Sequence, residues 1–226
     1  MESNDRRTAI VTGGSRGLGL ALVRELVSRD WNVVTDGRDA AALESAFAGL
    51  DVIAVPGDVT DAEHRRELVA AAGRPIHLLV NNAGGLGPSP LPGLTRYPLD
   101  ALSELFEVNV VAPLGLIQEA IPGLADGAVI IDITSDASVE AYEGWGGYGA
   151  TKAALDHIGR VLAVERPDLR VLMIDPGDMR TQMHQDAFPG EDISDRPAPE
   201  ASVPAIIALI EGSQPSGRYR ASEVST

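Results

Sequence analysis

Short runs rich in β-branched residues recur along the chain, separated by stretches of helical length. No other feature of the sequence narrows its fold as much. Residues 9–11, 31–35, 52–55, 76–80, 128–133 and 169–174 read as strands. Between them 18–29, 40–48, 61–73, 99–121 and 146–165 read as helices, with Leu18, Leu22 and Leu26 on one stripe of the first. A helix over 200–211 and a short edge strand over 218–220 close the series. Strands apolar on both faces belong to a parallel sheet covered on both sides. The expected fold is therefore α/β, a doubly wound parallel β-sheet with helices on both faces. At 226 residues, 1–226 reads as a single domain.

Composition removes several classes of function. No apolar run approaches the roughly 20 residues that span a bilayer, so no membrane contact is expected. The lead-in Met1–Arg7 runs straight into the short strand Thr8-Ala9-Ile10-Val11-Thr12, which is too brief and badly flanked for a signal peptide, so a cytoplasmic location is the expectation. With 33 acidic against 18 basic side chains, a net charge of −15 argues against nucleic acid as a partner. There is no cysteine, hence no disulfide and no thiolate chemistry. His64, His77, His157 and His184 stand apart from any metal-ligand spacing, so no metal is expected.

Two irregular segments, 84–98 and 177–199, follow strands and so lie at the carboxyl edge, where sheets of this kind bind ligands. The first strand runs into Gly13-Gly14-Ser15-Arg16-Gly17-Leu18-Gly19 at the start of a helix. Glycines there permit a tight turn, and the helix N-terminus offers free N–H groups to an anion. Alone, such a loop serves packing as readily as binding.

The loop resembles that of the short-chain dehydrogenases/reductases, and the rest of the chain carries the resemblance in order. Asn81-Asn82-Ala83-Gly84 follows the fourth strand, and Asn109 lies in the next helix. Ser135 ends the fifth strand, Tyr148-Gly149-Ala150-Thr151-Lys152 opens the following helix, and Pro176-Gly177 with Thr181 follows the sixth. The resemblance implies a catalytic set of Asn109, Ser135, Tyr148 and Lys152. Tyr148 would protonate a carbonyl oxygen during reduction and Ser135 would orient it. Lys152 would bind the nicotinamide ribose and tune the tyrosine, and Asn109 would hold a water leading to bulk. Tyr148 and Lys152 are i and i+4 on a helix, so an ammonium there would favour the phenolate. Spacing alone leaves a surface Tyr/Lys pair as the plainer reading, and Ser135 as a strand-end serine.

The resemblance places the cofactor on Gly13, Ser15, Arg16, Gly17, Leu18, Gly19, Arg38, Asp58, Val59, Asn82, Ala83, Gly84, Tyr148, Lys152, Pro176, Gly177 and Thr181. Asp36 suggests NAD(H), because an acid after the second strand can bind the ribose 2′-hydroxyl. In the family's register the discriminating acid falls instead on Gly37, and Arg16 and Arg38 occupy the positions that meet a 2′-phosphate. NADP(H) is therefore expected in preference to NAD(H). Asp58 would accept from the adenine amino group, with a helix N-cap as its competing role. Where asparagine is usual in the fifth strand, this chain has Asp132, which has no evident meaning in the sequence.

Tyr142, Trp145, Met179 and Met183 would line the substrate pocket, with 177–199 as its lid and 86–94 as a further wall. The implied activity is hydride transfer between NADP(H) and a small carbonyl or alcohol, as a carbonyl reductase or alcohol dehydrogenase. The alternative is a catalytically silent nicotinamide-binding regulatory or scaffold protein. A homodimer or homotetramer is implied, and the brief segment after Gly217 favours the dimer. Composition then adds weight to one residue. Seventeen of the eighteen basic side chains are arginine, and the single lysine is Lys152. A guanidinium is no substitute for a compact ammonium between a phenol and a ribose.

Overall fold

The computed structural model describes residues 6–225; residues 1–5 of the lead-in and Thr226 lie outside it. Its strands are β1 (Thr8–Val11), β2 (Asn32–Gly37), β3 (Val52–Pro56), β4 (Ile76–Asn81), β5 (Leu124–Ile133), β6 (Arg170–Asp175) and β7 (Gly217–Arg220). They form one parallel sheet in the order β3-β2-β1-β4-β5-β6-β7. Register aligns Val34, Ile10, Leu79, Ile130 and Val171 in a row across five strands, all buried. Truncating any of these to alanine would cost about 2–5 kcal/mol.

On one face of the sheet lie α1 (Gly17–Ser28), α2 (Ala40–Ala46) and α8 (Val203–Glu211), through Leu22, Leu26, Leu43 and Ile206. The opposite face carries α3 (Ala62–Ala72), α5 (Ala112–Ala120) and α6 (Gly146–Glu165), through Leu68, Leu116, Ile117 and Leu162. Successive side chains of a strand point to opposite faces, so both clusters draw on β1, β2, β4 and β5. Among the described residues no helix is long and apolar enough to cross a membrane.

The stretch expected as one helix over 99–121 is broken. It comprises α4 (Leu99–Phe106), a π-helical turn at Glu107–Val111, then α5, then a 3-10 turn at Ile121–Gly123. Pro113 sits in the first turn of α5 and has no N–H to give the carbonyl four residues back, at Asn109, so the regular ladder cannot continue through this point. The fifth strand also begins earlier than expected, at Leu124, through an irregular register with β4 between Ile76 and Leu78. The edge strand appears as expected and pairs with β6.

β1 and β4 are neighbours, yet β1 leads into α1 on one face and β4 leads toward α5 on the other. A crevice opens at the carboxyl ends where connections diverge in this way.

Candidate active site

The crevice encloses about 1750 Å³. Of the residues expected in the catalytic, cofactor and substrate sets, all but Gly19 and Asn109 line it. Gly19 packs instead: a Cβ there would run into the Gly13 carbonyl and the Asn82 amide. Asn109 is buried in the π-helical turn, accepting from Gly85 N at 2.8 Å and donating to Gly85 O at 2.9 Å and Thr151 Oγ1 at 2.9 Å. Its side chain thus clamps the loop after β4 to α6.

The glycine loop is held in place from β4. Thr12 Oγ1 accepts from the N–H groups of Asn82 and Ala83, both at 3.0 Å, and Asn82 Nδ2 donates to Thr12 O at 2.8 Å. Gly13 and Gly17 have φ of +70° and +58°, backbone conformations that side chains disfavour. The helix that follows has no side-chain cap at Arg16, whereas Asp39, Asp61 and Thr181 cap α2, α3 and the short α7 (Gln182–Ala187). The first-turn N–H groups of α1 are therefore left to a ligand, and an anion satisfies them well.

Arg16 and Arg38 flank this loop, exposed on the cleft wall and without an ion-pair partner among the described residues. Asp36, two residues before Arg38, is turned inward. Its Oδ1 accepts from Gly13 N at 2.6 Å and its Oδ2 faces His64 Nε2 at 3.1 Å. Asp58 forms a tight turn rather than an N-cap, its Oδ1 accepting from Thr60 N and Oγ1 at 2.9 and 2.8 Å. Asp61 is the cap of α3.

At the other end of the cleft, Tyr148, Lys152 and Asp156 recur every fourth residue on the buried face of α6. Burial pushes the Tyr148 phenol well above its ordinary value, opposed by hydrogen bonding to Ser135. Lys152 Nζ donates to Ile133 O at 2.7 Å and sits 5.6 Å from the centre of the Tyr148 ring. Burial lowers the ammonium to about 8, although Asp132 and Asp156 pull it upward. The depression of the phenol expected from the lysine does not appear: desolvation dominates, and Ser135 rather than Lys152 is the group that opposes it. The resting phenol is protonated at neutral pH, in the form that donates.

Ser135 Oγ donates to Asp136 Oδ1 at 3.0 Å, and Tyr142 Oη donates to Asp136 Oδ2 at 2.9 Å. Sequence reasoning passed over Asp136, as it did Arg218. The Arg218 guanidinium donates to Ser135 O at 2.9 Å, Asp156 Oδ2 at 3.2 Å and Asp175 Oδ2 at 3.2 Å. Only its place on a predicted edge strand beside the site could have signalled it. Asp132 is fully buried beneath the site, accepting from Asn81 Nδ2 at 2.8 Å through Oδ1, while Oδ2 has no partner. Burial raises this carboxyl to about 6.

Trp145 meets Tyr148 edge-on at 5.7 Å and Phe188 at 5.9 Å. With Leu86 and Leu105 they make an apolar wall beside the phenol. Met179 and Met183 come from 177–199, a segment joined to 84–98 where Ser89 Oγ donates to Asp186 O at 2.6 Å. Thr181 lies over the glycine loop, 3.6 Å from where a Gly17 Cβ would be. No group of three or more potential metal ligands occurs among the described residues.

A family model described as short chain dehydrogenase matches residues 7–192. An uncharacterized oxidoreductase of Saccharomyces cerevisiae is 33% identical over 186 residues, 78% of this chain and 72% of that one. A benzil reductase ((S)-benzoin forming) of the same yeast is 31% identical over 195 residues, covering 80% and 74%. A Shigella flexneri protein crystallised with NADP superimposes with a TM-score of 0.87 over 96% of this chain and 97% of that one, at 26% identity.

Proposed function

Because the chain belongs to the short-chain dehydrogenase family of oxidoreductases, we propose that it transfers a hydride between NADP(H) and a small carbonyl or alcohol, with Tyr148 as general acid/base. One observation carries this reading: a single cleft joins an uncapped helix N-terminus flanked by two unpaired arginines to a buried tyrosine with Ser135 and Lys152 beside it. The first half suits a dinucleotide phosphate, and the second suits a carbonyl oxygen gaining a proton.

The nicotinamide supplies the hydride when bound. Everything else falls to the chain. Ser15, Gly17 and Leu18 would offer backbone N–H groups to the pyrophosphate, while Gly13, whose N–H is held by Asp36, shapes the loop together with Asn82 and Gly19. Arg16 and Arg38 take the 2′-phosphate, for which the guanidinium fork is well matched. Asp58, Val59, Ala83 and Gly84 would hold the adenosine side of the cofactor, and Pro176, Gly177 and Thr181 its nicotinamide side; all line the one cleft. Lys152, held by the Ile133 carbonyl, presents its ammonium beside the ribose. In reduction the Tyr148 phenol donates its proton to the carbonyl oxygen, which the Ser135 hydroxyl orients by leaving Asp136. Asn109 acts by holding the floor of this site.

The apolar wall of Leu86, Leu105 and Trp145, with Met183 and Tyr142 at the mouth, favours an uncharged substrate. The relative named for benzil reduction supports a carbonyl compound. Segment 177–199 serves as the lid. Val111, Val161 and Val164 stand exposed on the outer side of the π turn and α6, and a homodimer or homotetramer would cover them.

The test is loss of NADPH absorbance with a panel of uncharged ketones and aldehydes, wild type against Tyr148→Phe. Turnover confined to the wild type, with NADPH binding equal in both, supports the reading. Tight NADPH binding without turnover on any carbonyl would instead make the chain a silent nicotinamide-binding protein.

A further inference from the structure

Asp36 lies at the end of β2, one residue before Gly37, the position at which the family's register sets an acid against the ribose 2′-hydroxyl. It borders the cleft, yet its side chain is only 2% exposed. Both oxygens already have protein donors: Gly13 N at 2.6 Å on Oδ1, and His64 Nε2 at 3.1 Å on Oδ2. His64 comes from the first turn and a half of α3, and it has no freedom to leave. Its side chain is 4% exposed, and the ring fills a slot that exists because residue 57 is glycine; a Cβ at Gly57 would overlap the imidazole.

We propose that His64 is a specificity-determining residue for the cofactor: it pins the Asp36 carboxylate against the glycine loop, which denies that carboxylate to the adenosine ribose and leaves the end of β2 to Arg38. The inference rests on the NADP(H) reading above. A carboxylate facing the 2′ position would repel a phosphate there and accept from a hydroxyl, so its withdrawal is what a 2′-phosphate site requires. The pairing with His64 makes the withdrawal lasting, because a buried carboxylate that loses its charged partner is strongly disfavoured. The other charges around His64 do not replace it. Glu67 approaches Nδ1 at 3.9 Å and Asp58 lies nearby, both acidic, while Arg38 sits beside Asp58 in the cleft. Donation to Asp36 raises the imidazole above its ordinary value, which favours the charged, donating form of the ring.

The experiment is calorimetric binding of 2′,5′-ADP and 5′-AMP to the full chain, neither of which needs turnover. Wild type should bind 2′,5′-ADP the more tightly. His64→Leu should cut that preference by about tenfold or more, mainly by weakening 2′,5′-ADP. His64→Gln, which keeps an N–H in reach of Asp36, should stay close to wild type. Asp36→Thr combined with His64→Leu should recover the preference, since no carboxylate remains to swing outward. Wild type without a preference would overturn the NADP(H) reading itself. A preference unchanged in His64→Leu would overturn the role of His64 alone. Loss in His64→Leu without recovery in the double variant would also overturn it, assigning the effect to collapse of the loop. Should His64→Leu not fold, His64→Asn, whose amide is too short to reach Asp36, is read against the same outcomes.

Discussion

Arg218 Nη2 donates to the carbonyl of Ser135 at 2.9 Å, reaching across β6 from the edge strand to the end of β5. The same guanidinium lies 3.2 Å from both Asp156 on α6 and Asp175 at the end of β6. One partly exposed cation thereby ties together the three elements that carry Ser135, Tyr148 with Lys152, and Pro176. The edge strand pairs with β6 over Gly217–Arg220, and this charge carries its link on to Ser135 and α6.

Arg218→Met should therefore do more than remove a surface arginine. Asp156 and Asp175 have side chains only 2% and 7% exposed; Asp156 would lose its charged partner and Asp175 would keep only Arg220, at 3.8 Å. Breaking a buried ion pair from one side costs about 3 kcal/mol. A urea titration should show the midpoint fall accordingly, and kcat should drop as the Ser135 backbone loosens. A variant with an unchanged midpoint would contradict the assignment.

Arg16 and Arg38 bear on the cofactor directly. Replacing both by alanine should raise the NADPH KM by about tenfold or more, with the NADH KM little changed, since only the former carries the extra phosphate. In the wild type the NADPH KM should also rise steeply with ionic strength, and the double variant should lose much of that dependence. Equal losses for both cofactors would show that the arginines hold the loop rather than the phosphate.

Asp132 ties stability to pH in a direction that can be worked out. Its carboxyl is raised from 3.8 to about 6 by burial, so the folded state holds a proton that the unfolded chain has released. That contribution is complete below the unfolded value and disappears as pH climbs through about 6. Asp132→Asn keeps the acceptor for Asn81 and removes the titration. Its stability relative to wild type should rise by about 2 kcal/mol between about pH 4.5 and 7.5. A difference that stays flat over this range would place the buried proton elsewhere.

What was legible in the sequence follows the range over which each signal acts. Apolar periodicity is local, so the strands and the sheet they form could be read directly. Tyr148 and Lys152 could be placed on one face because helical spacing is fixed. The broken helix at 107–111 had a local cause in Pro113, visible but unread. Nothing local announces that Asp36 is turned inward, because His64, the residue that turns it, lies 28 positions away. Arg218 and Ser135 are 83 positions apart and meet only through the sheet order. The lysine posed a different difficulty. Its position was evident, but its effect on Tyr148 depended on how much water the site excludes, and burial proved the larger influence.

That balance gives the catalytic pair a definite pH signature. Reduction needs a protonated phenol and a charged Lys152. Burial holds the phenol protonated well into the alkaline range, so Lys152, lowered to about 8, is the group that titrates first. The rate of carbonyl reduction should hold at neutral pH and fall above about 8 as the ammonium is lost. Asp132 is among the charges that raise Lys152, so Asp132→Asn should move this alkaline limb to lower pH, the sign that removal of a neighbouring negative charge requires. Lys152→Arg should not rescue the limb. The ammonium is only 5% exposed and donates to a single carbonyl, a setting too narrow for a planar fork, and activity should fall about a hundredfold or more. An alkaline limb that stays in place in Asp132→Asn would show that Lys152 is not the group being titrated.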